Sequence, residues 1–451
     1  MNFSKSLVVQ GGIPLVGDVR VSGSKHAALH LLGAALIAGE SVVFENFPDI
    51  ADARNMISIY ESFGIRSVLD GGILRIGRTN CGMEFNTSQL YKASLLRSSI
   101  LLLGSALLRL KHITFSFPGG DYVGLRDFAM FFKALAAFNI EHGVRDGMVW
   151  AKAESKLQGD REFDIRVDPR TEVSGNNSTA LAMILAAANE GATRITGALN
   201  VQETRVLANF LSMLGASVNG LGTRTTTIIS PGLSHLNREP IKIRLPADKT
   251  EFAFWIVAAS MTMGRIDIQL DCAEQEVANE RIWYQALVKN ALEPLGLSVI
   301  NTESNHYVID AAKGTRAPAD LRARYTGIEA EIVDAMPLFV PILAVTPGTS
   351  TWSDTHVGRA RLGFVSGLRK MGAKLKTHGD GLTIDGVPAL VGQRVTGNDS
   401  RSAAALLLAA LGATGPSTVR DFDKVERVFD SIPTKLSSLG GSVHFGSSSE
   451  F

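Results

Sequence analysis

The feature of the sequence that most constrains its fold is an internal repeat, which occurs six times in 451 residues. Each copy reads as an apolar helix, a strand of β-branched residues, a second and amphipathic helix, and then a further strand. A corner residue ends the second helix of each copy, and these residues are Gly64, Asn139, Gly215, Gly296, Gly372 and Gly440. Glycine, and less readily asparagine, adopts the left-handed conformation that terminates a helix. The repeat therefore predicts an α/β fold of six similar units.

The spacing of the corners indicates how the six units are grouped. Successive corners lie 68 to 81 residues apart, which is longer than the roughly 20 to 50 residues of common solenoid repeats. We therefore expect two compact lobes of three units, with a break near Leu245 to Lys249. Val9 to Val21 precede the first lobe in sequence, but they should form strands that belong to the second lobe. The predicted domains are residues 24–245, and residues 1–23 together with 246–451.

Composition excludes several classes of protein. Lys and Arg number 45 and Asp and Glu 44, so no excess of positive charge favours binding to nucleic acid or to an anionic membrane surface. The two cysteines, Cys81 and Cys272, form neither a disulfide framework nor a zinc ligand set. Because the apolar runs are also too short to cross a bilayer, we predict a cytoplasmic protein without a membrane segment.

Common cofactor and metal motifs are absent from the sequence. It contains no GxxxxGK[ST] phosphate loop, no GxGxxG turn after a strand, no HExxH and no paired CxxC. Hydrolysis of nucleoside triphosphates and dinucleotide redox chemistry are therefore not predicted. The remaining candidates are polar residues that interrupt the apolar repeats.

Three such places lie in the first half of the chain. Lys25 and His26 follow an SGS turn at the start of the first apolar helix, where a helix N-terminus favours anions; the alternative for Lys25 is a solvated capping lysine. Arg97 precedes a second apolar helix and needs a partner, either a carboxylate or a phosphate. The loop SFPGGDYVGLRDF carries Asp121 and Arg126 among glycines that could approach a ligand, or could simply form a turn.

The second half repeats this pattern. Asp334 faces an apolar run, where either a proton-transfer role or a structural salt bridge would explain it. The other candidates are Arg361, Asp399, Arg401 and Arg427. Together with Lys25, these arginines occupy equivalent ends of repeated units in a chain without net basicity. That distribution favours a small polyanionic ligand with phosphate and carboxylate groups.

Seven segments of the sequence resemble the enolpyruvyl transferase family, and the similarity covers nearly the whole chain. They are VSGSKHAAL, LLRSSILLLG, FPGGDYVGLR, DKTEFAFWIVAA, RKMGA, NDSRSAAALLLA and DKVERVFDSI. Within the family the chain is more similar to the branch that uses UDP-N-acetylglucosamine than to the branch that uses shikimate 3-phosphate. The resemblance implies an inside-out α/β barrel in each lobe. It also implies transfer of the carboxyvinyl group of phosphoenolpyruvate to a hydroxyl with release of phosphate, without a metal or an organic cofactor.

The resemblance also implies roles for individual residues. Lys25, Arg126 and Arg427 would hold phosphoenolpyruvate and the departing phosphate, and Arg97 and Arg361 would add positive charge. Asp121 stands where the commonest members carry a reactive cysteine, and it would act as the general acid. Asp334 would be the general base near the acceptor hydroxyl. Asp399 and Arg401 match a pair on the C-terminal side of the family's site.

The positions that would bind the acceptor depart from the family's pattern. His26 replaces an asparagine, and the loop around Asn176 to Ser178 has a different sequence. We therefore expect a uridine nucleotide acceptor, either UDP-N-acetylglucosamine or UMP, which some relatives in nucleoside-antibiotic pathways use. The alternatives are activity on shikimate 3-phosphate, or a catalytically silent relative that binds phosphorylated metabolites.

Overall fold

The computed structural model describes most of the chain. The described residues are 5–78, 87–120, 128–153, 156–166, 175–237, 239–271, 277–303, 305–313, 316–323, 327–354, 362–379 and 381–446.

The helices within these ranges include both long, buried ones and short, peripheral ones. They are α1 (Lys25–Ala38), α2 (Ala51–Ser62), α3 (Ser99–Leu110), α4 (Ala129–Ala137), α5 (Asn176–Ala188), α6 (Gln202–Met213), α7 (Lys249–Thr262), α8 (Val277–Leu287), α9 (Glu293–Leu295), α10 (Val340–Ala344), α11 (Val365–Lys370), α12 (Ser400–Gly412), α13 (Asp423–Glu426) and α14 (Ile432–Ser438).

The strands alternate with these helices along the chain. They are β1 (Ser6–Gln10), β2 (Val16–Val21), β3 (Val42–Glu45), β4 (Ser67–Asp70), β5 (Ile73–Ile76), β6 (His112–Ser116), β7 (Glu141–Arg145), β8 (Met148–Lys152), β9 (Arg161–Asp164), β10 (Glu190–Thr196), β11 (Ser217–Asn219), β12 (Thr225–Pro231), β13 (Ile241–Arg244), β14 (Arg265–Leu270), β15 (Ile300–Glu303), β16 (His306–Asp310), β17 (Asp320–Ala323), β18 (Thr349–Asp354), β19 (Lys374–His378), β20 (Gly381–Asp385), β21 (Arg394–Thr396), β22 (Pro416–Arg420) and β23 (Val443–Phe445).

Within the described part of the chain, the strands form six sheets, one for each repeat. Five have four strands and one has three; their orders are β13-β3-β5-β4, β6-β8-β7, β11-β12-β10-β9, β15-β16-β14-β2, β17-β18-β20-β19 and β21-β22-β1-β23. The strand after each first helix, such as β3 or β10, pairs antiparallel with one neighbour and, in the four-stranded sheets, parallel with the other. The predicted α/β class is confirmed.

Three strands pair with strands that lie far from them in sequence. β2 directly precedes α1, yet it pairs in parallel with β14. β13 directly precedes α7, yet it pairs in parallel with β3. In addition, β1 completes the last sheet by pairing with β22 and β23.

The chain divides into two compact units, each with its own hydrophobic core. The N-terminal unit contains residues 23–120 and 125–245, and the C-terminal unit contains the residues up to 22 and from 246 onward. In the N-terminal unit α1, α3 and α5 pack on one another. An added Cβ would lie 2.5 Å from Leu101 Cβ at Gly33 and 2.4 Å from Leu181 Cδ1 at Gly104, so small residues allow this close packing. In the C-terminal unit α7 and α12 form the centre of the core.

The six predicted corners are confirmed. Gly64, Asn139, Gly215, Gly296, Gly372 and Gly440 all have positive φ, between 56° and 100°. The first helix of the fifth repeat differs from the others because it is broken into a 3-10 turn at Met336–Phe339 and the short α10. Pro341 explains the break, since a proline inside a continuous helix lacks the N–H donor and clashes with the preceding turn.

Among the residues that the structure describes, no helix is both long and apolar enough to span a membrane.

Candidate active site

The polar residues of the buried helices that are not themselves buried lie in the first turns. In α1 the residue that is not buried is His26, in α5 they are Asn176 and Asn177, and in α7 it is Thr250. In α12 Arg401, the second residue, is half-buried. Since the rest of each helix packs in a core, the N-terminal ends are the places where these helices can contact a ligand.

Hydrogen bonds join the second turn of α1, the first turn of α5 and the residue before α3 in the N-terminal unit. His30 Nε2 of α1 lies 3.2 Å from Asn177 Oδ1, at the start of α5. Asn177 Nδ2 donates to Ser98 Oγ, 3.3 Å away, immediately before α3. Helix N-termini carry partial positive charge and unpaired N–H groups, and they bind phosphates and carboxylates. The starts of α3 and α5 are therefore held close to the N-terminal half of α1.

Lys25 is the first residue of α1. Ser24 caps the helix by accepting a hydrogen bond from the Ala27 N–H at 3.4 Å. Lys25 Nζ lies 2.6 Å from Asp52 Oδ2, and both side chains are buried. The alternative that Lys25 is a solvated capping residue is therefore wrong. Asp52 offsets the cost of burying this ammonium group beside a helix N-terminus.

His26 is held by a second buried carboxylate. Its Nδ1 lies 3.3 Å from Glu203 Oε1, and the side chain of Glu203 is only 3% exposed whereas that of His26 is 27% exposed. Asn176 Nδ2 also donates to Glu203 Oε1, at 3.0 Å. Glu203 is in the first turn of α6, where the helix dipole favours a negative charge. The imidazole is thus fixed on one side and accessible on the other.

Burial lowers the pKa of His30 from 6.5 to about 4. The imidazole is fully buried, so the loss of hydration disfavours its charged form more than the nearby Glu203 carboxylate favours it. His30 is therefore neutral near pH 7, and its Nε2–H serves as the donor to Asn177.

This pKa predicts a pH dependence of stability. Between pH 6.5 and 4 the unfolded chain binds a proton at His30 that the folded chain does not, so the free energy of unfolding decreases as the pH falls through this window. The expected loss is about 3 kcal/mol. Urea unfolding across this range should show a shallower dependence for His30→Gln, which keeps an N–H donor but does not titrate. Equal slopes for the two proteins would contradict the assignment.

Arg97 is positioned by aromatic rings and by a glycine-rich turn. Its guanidinium carbon lies 4.6 Å from the centre of the Phe128 ring and 5.4 Å from that of Phe131, which is a cation–π arrangement. An added Cβ at Gly119 would lie 2.0 Å from Ser94 O, and one at Gly120 would lie 3.1 Å from Arg97 N. The start of the predicted glycine loop therefore packs directly on the segment that carries Arg97, and only glycine permits this contact.

In the C-terminal unit the structure brings Asp334 and Arg401 together. Arg401 Nη2 donates to Asp334 Oδ2 at 2.8 Å, and both side chains are largely buried. Asp399 caps α12 by accepting from the N–H groups of Arg401 and Ser402, at 2.9 and 3.0 Å. Asp399 thus sets the start of the helix, and Arg401 holds the carboxylate that was predicted to be a base.

A second buried lysine repeats the arrangement of Lys25. Lys249 is the first residue of α7, after the capping residue Asp248, and its Nζ lies 2.7 Å from Glu331 Oε2. Two residues further on, Glu251 accepts hydrogen bonds from Lys435 Nζ at 2.6 Å and from Trp255 Nε1 at 3.0 Å. Burial raises the pKa of Glu251, although the nearby Lys435 ammonium opposes this shift. Sequence analysis missed this cluster.

The remaining predicted site residues are located less completely. Arg427 is half-buried and directly follows α13, and its backbone N–H donates to Asp423 O at 3.1 Å. Asp121, Arg126 and Arg361 lie outside the described residues. Within the described ranges, no group of three or more His, Cys, Asp or Glu side chains is placed to hold a metal ion.

The acids that hold Lys25 and His26 were not predicted, although the repeat contains a signal for them. Asp52 and Glu203 each lie twelve residues before a corner, at Gly64 and Gly215. Each is also the second residue of the second helix of its repeat. A search for carboxylates at a fixed distance from the corners would have identified both.

Two curated relatives are similar to the chain over nearly its whole length. A relative from Akkermansia muciniphila, named UDP-N-acetylglucosamine 1-carboxyvinyltransferase, is 31% identical over 440 residues, which cover 97% of this chain and 98% of the relative. A protein of the same name from Geobacter metallireducens is 31% identical over 438 residues and has the same coverage, 97% and 98%.

Two solved structures share the fold. The enolpyruvyl transferase NikO from Streptomyces tendae superposes with a TM-score of 0.84 at 21% identity, covering 98% of this chain and 99% of NikO. EPSP synthase from Acinetobacter baumannii gives a TM-score of 0.74 at 17% identity, covering 98% of this chain and 100% of the synthase. The fold is thus that of carboxyvinyl-transferring enzymes.

A sequence model of the family described as EPSP synthase (3-phosphoshikimate 1-carboxyvinyltransferase) matches residues 9–436 of the chain. The chain belongs to this family of enolpyruvyl transferases, whose members are phosphoenolpyruvate-dependent enzymes. The predicted family and the predicted class of enzyme are confirmed.

Proposed function

We propose that this chain transfers the carboxyvinyl group of phosphoenolpyruvate to a hydroxyl of a uridine nucleotide or nucleotide sugar and releases phosphate. The observation that carries the proposal is the hydrogen bonding that joins the N-terminal parts of α1, α3 and α5. Lys25 is the first residue of α1, and Arg97 lies just before α3. Together these parts offer helix N-termini and an ammonium group to a ligand that has both a phosphate and a carboxylate. Each unit would be an inside-out α/β barrel of three repeats, and the two cysteines fit a cytoplasmic enzyme.

The residues divide the chemistry among them. Lys25, Arg126 and Arg427 would bind phosphoenolpyruvate and the departing phosphate, and Arg97 and Arg361 would add positive charge. Asp121 would protonate the methylene carbon. Asp334, which Arg401 holds, would contact the acceptor hydroxyl. Asp399 fixes the start of the helix that carries Arg401. Fixed cations of this kind stabilise the charge that develops during addition and elimination.

The reaction proceeds in two steps, an addition and an elimination. In the first, the methylene carbon gains a proton, the acceptor oxygen bonds to the central carbon, and the hydroxyl proton moves to a base. In the second, the added carbon proton returns to the acid, the carbon–oxygen bond to phosphate breaks, and the phosphate leaves with the proton from the base. The residues that bind phosphate must therefore hold it through both steps.

Two acceptors within the uridine class have separate support. The names of the relatives favour UDP-N-acetylglucosamine. The departures from the family's pattern at His26 and around Asn176 to Ser178 argue against UDP-N-acetylglucosamine and keep UMP as the second acceptor. The description of the family model keeps shikimate 3-phosphate as an alternative acceptor.

A panel of acceptors tests the proposal. Phosphate release from phosphoenolpyruvate should be measured with UDP-N-acetylglucosamine, UMP, other uridine nucleotides and shikimate 3-phosphate. Release with a uridine nucleotide supports the proposal. Release with shikimate 3-phosphate alone would replace it, and release with no acceptor would favour a silent relative that only binds metabolites.

A further inference from the structure

We propose that His26, oriented by Glu203, is the base that removes the proton from the acceptor hydroxyl. This assignment rests on the proposed function and adds a catalytic residue to it. It also changes the part played by Asp334, which would orient the acceptor instead of removing its proton.

The geometry of the pair is that of a carboxylate that orients a catalytic imidazole. Glu203 Oε1 lies 3.3 Å from His26 Nδ1 and also accepts the Asn176 amide at 3.0 Å. An ionised carboxylate only accepts hydrogen bonds, so a neutral His26 that donates to Glu203 does so from Nδ1–H and keeps its lone pair at Nε2. The same carboxylate stabilises the imidazolium that forms when Nε2 takes a proton.

The position of His26 allows it to reach a ligand. It is the residue of α1 that is not buried, and 27% of its side chain is exposed. Lys25, its neighbour in sequence, is held by Asp52, which occupies the same position in the first repeat as Glu203 does in the third. The repeats thus supply one acid for the ammonium group and one for the imidazole, at a single helix N-terminus.

Asp334 is less suited to accept the proton. Its Oδ2 already accepts a hydrogen bond from Arg401 Nη2 at 2.8 Å. A proton on this carboxylate would weaken the ion pair with a guanidinium group that cannot release its own proton. A carboxylate held in this way is suited to accept a hydrogen bond from the hydroxyl and fix its direction.

The proton balance favours a group that both takes and returns a proton. His26 Nε2 takes the hydroxyl proton as the acceptor oxygen bonds to the central carbon of phosphoenolpyruvate. The imidazolium then gives this proton to the departing phosphate as the carbon–oxygen bond breaks. Imidazole is suited to both transfers because one ring nitrogen can take and release a proton while the other keeps its contact with Glu203.

A pH profile can test this step. Among the residues that the structure describes, the titratable and charged groups on the elements around the start of α1 include Glu203 of α6, Asp52 of α2, Arg97 before α3, and Lys25 and His30 of α1 itself. Burial holds the pKa of His30 at about 4. His30 therefore stays neutral over the pH range in which an ordinary histidine titrates, and it adds no pH-dependent change in rate there.

The experiment compares His26→Asn and Glu203→Gln with the wild type, using the acceptor that the panel identifies. His235→Asn is the matched control, because this histidine is exposed and its ring contacts Ser234. His26→Asn should lower kcat by about 100- to 10,000-fold and remove the acidic limb of the kcat/KM profile. Glu203→Gln should also lower kcat, and the control should match the wild type.

Three results would overturn the assignment. One is a His26→Asn variant with unchanged kcat and a raised KM for the acceptor, which indicates binding alone. Another is an acidic limb that persists in His26→Asn and disappears in Asp334→Asn. The third is a wild type without phosphate release, which fails the proposed function before any variant is compared. Circular dichroism checks folding, and His26→Gln replaces His26→Asn if that variant does not fold.

Discussion

Replacing Lys25 by methionine is expected to lower kcat/KM for phosphoenolpyruvate by about 100- to 1,000-fold and to destabilise the protein at the same time. The loss of activity follows from the proposed phosphate contact. The loss of stability follows from the structure, because Asp52 would remain buried without the ammonium group that now lies 2.6 Å away. Removing one partner of a buried pair costs about 3 to 5 kcal/mol.

A double variant separates the two effects of Lys25. Lys25→Met with Asp52→Asn removes both charges, so much of the lost stability should return. Activity should not return, because the phosphate would still lack its ammonium partner. Kinetics with phosphoenolpyruvate and urea unfolding of the same samples give both quantities. If the double variant regained activity together with stability, the role of Lys25 would be structural.

Replacing Lys249 by methionine is expected to give the largest loss of stability in the C-terminal unit, about 3 to 5 kcal/mol. Glu331, whose side chain is 1% exposed, would lose the ammonium group 2.7 Å away. Glu331→Gln in the same chain should recover much of this loss. The free energy of unfolding in urea is the measurement.

The chain offers a matched control for this prediction. Lys5 and Glu426 form an ion pair at the same distance, 2.7 Å, but their side chains are 55% and 31% exposed. Lys5→Met should therefore cost no more than about 1 kcal/mol. Similar losses of unfolding free energy for Lys5→Met and Lys249→Met would contradict the view that burial determines how much each ion pair stabilises the protein.

The local features of the fold could be predicted because their physical causes are local. A left-handed corner requires glycine or asparagine, so the six corners are visible in the sequence and have positive φ in the structure. Runs with β-branched residues, such as RIDIQL, form strands as expected. The pairing of β13 with β3 was not predicted, because it joins residues about two hundred positions apart and leaves no periodic signal.

The candidate site was predicted in part, and for a similar reason. Lys25, His26, Arg97 and Arg401 were identified because a polar residue at the start of an apolar helix is conspicuous. Asp52, Glu203 and Glu331 were missed because an acid in the first turn of an ordinary helix, or in a turn before one, also suits a solvated surface. The spacing from the corners could have singled out Asp52 and Glu203, but the role of each acid follows from its burial against a lysine or a histidine.

The central claim is that this chain breaks the carbon–oxygen bond of phosphoenolpyruvate and joins the three-carbon group to an alcohol. The most direct test uses phosphoenolpyruvate with oxygen-18 at the atom that bridges carbon and phosphorus, with products analysed by mass spectrometry. We expect the label in the released phosphate and a carboxyvinyl group on the acceptor. Unlabelled phosphate together with labelled pyruvate would show cleavage of the phosphorus–oxygen bond and would contradict the account.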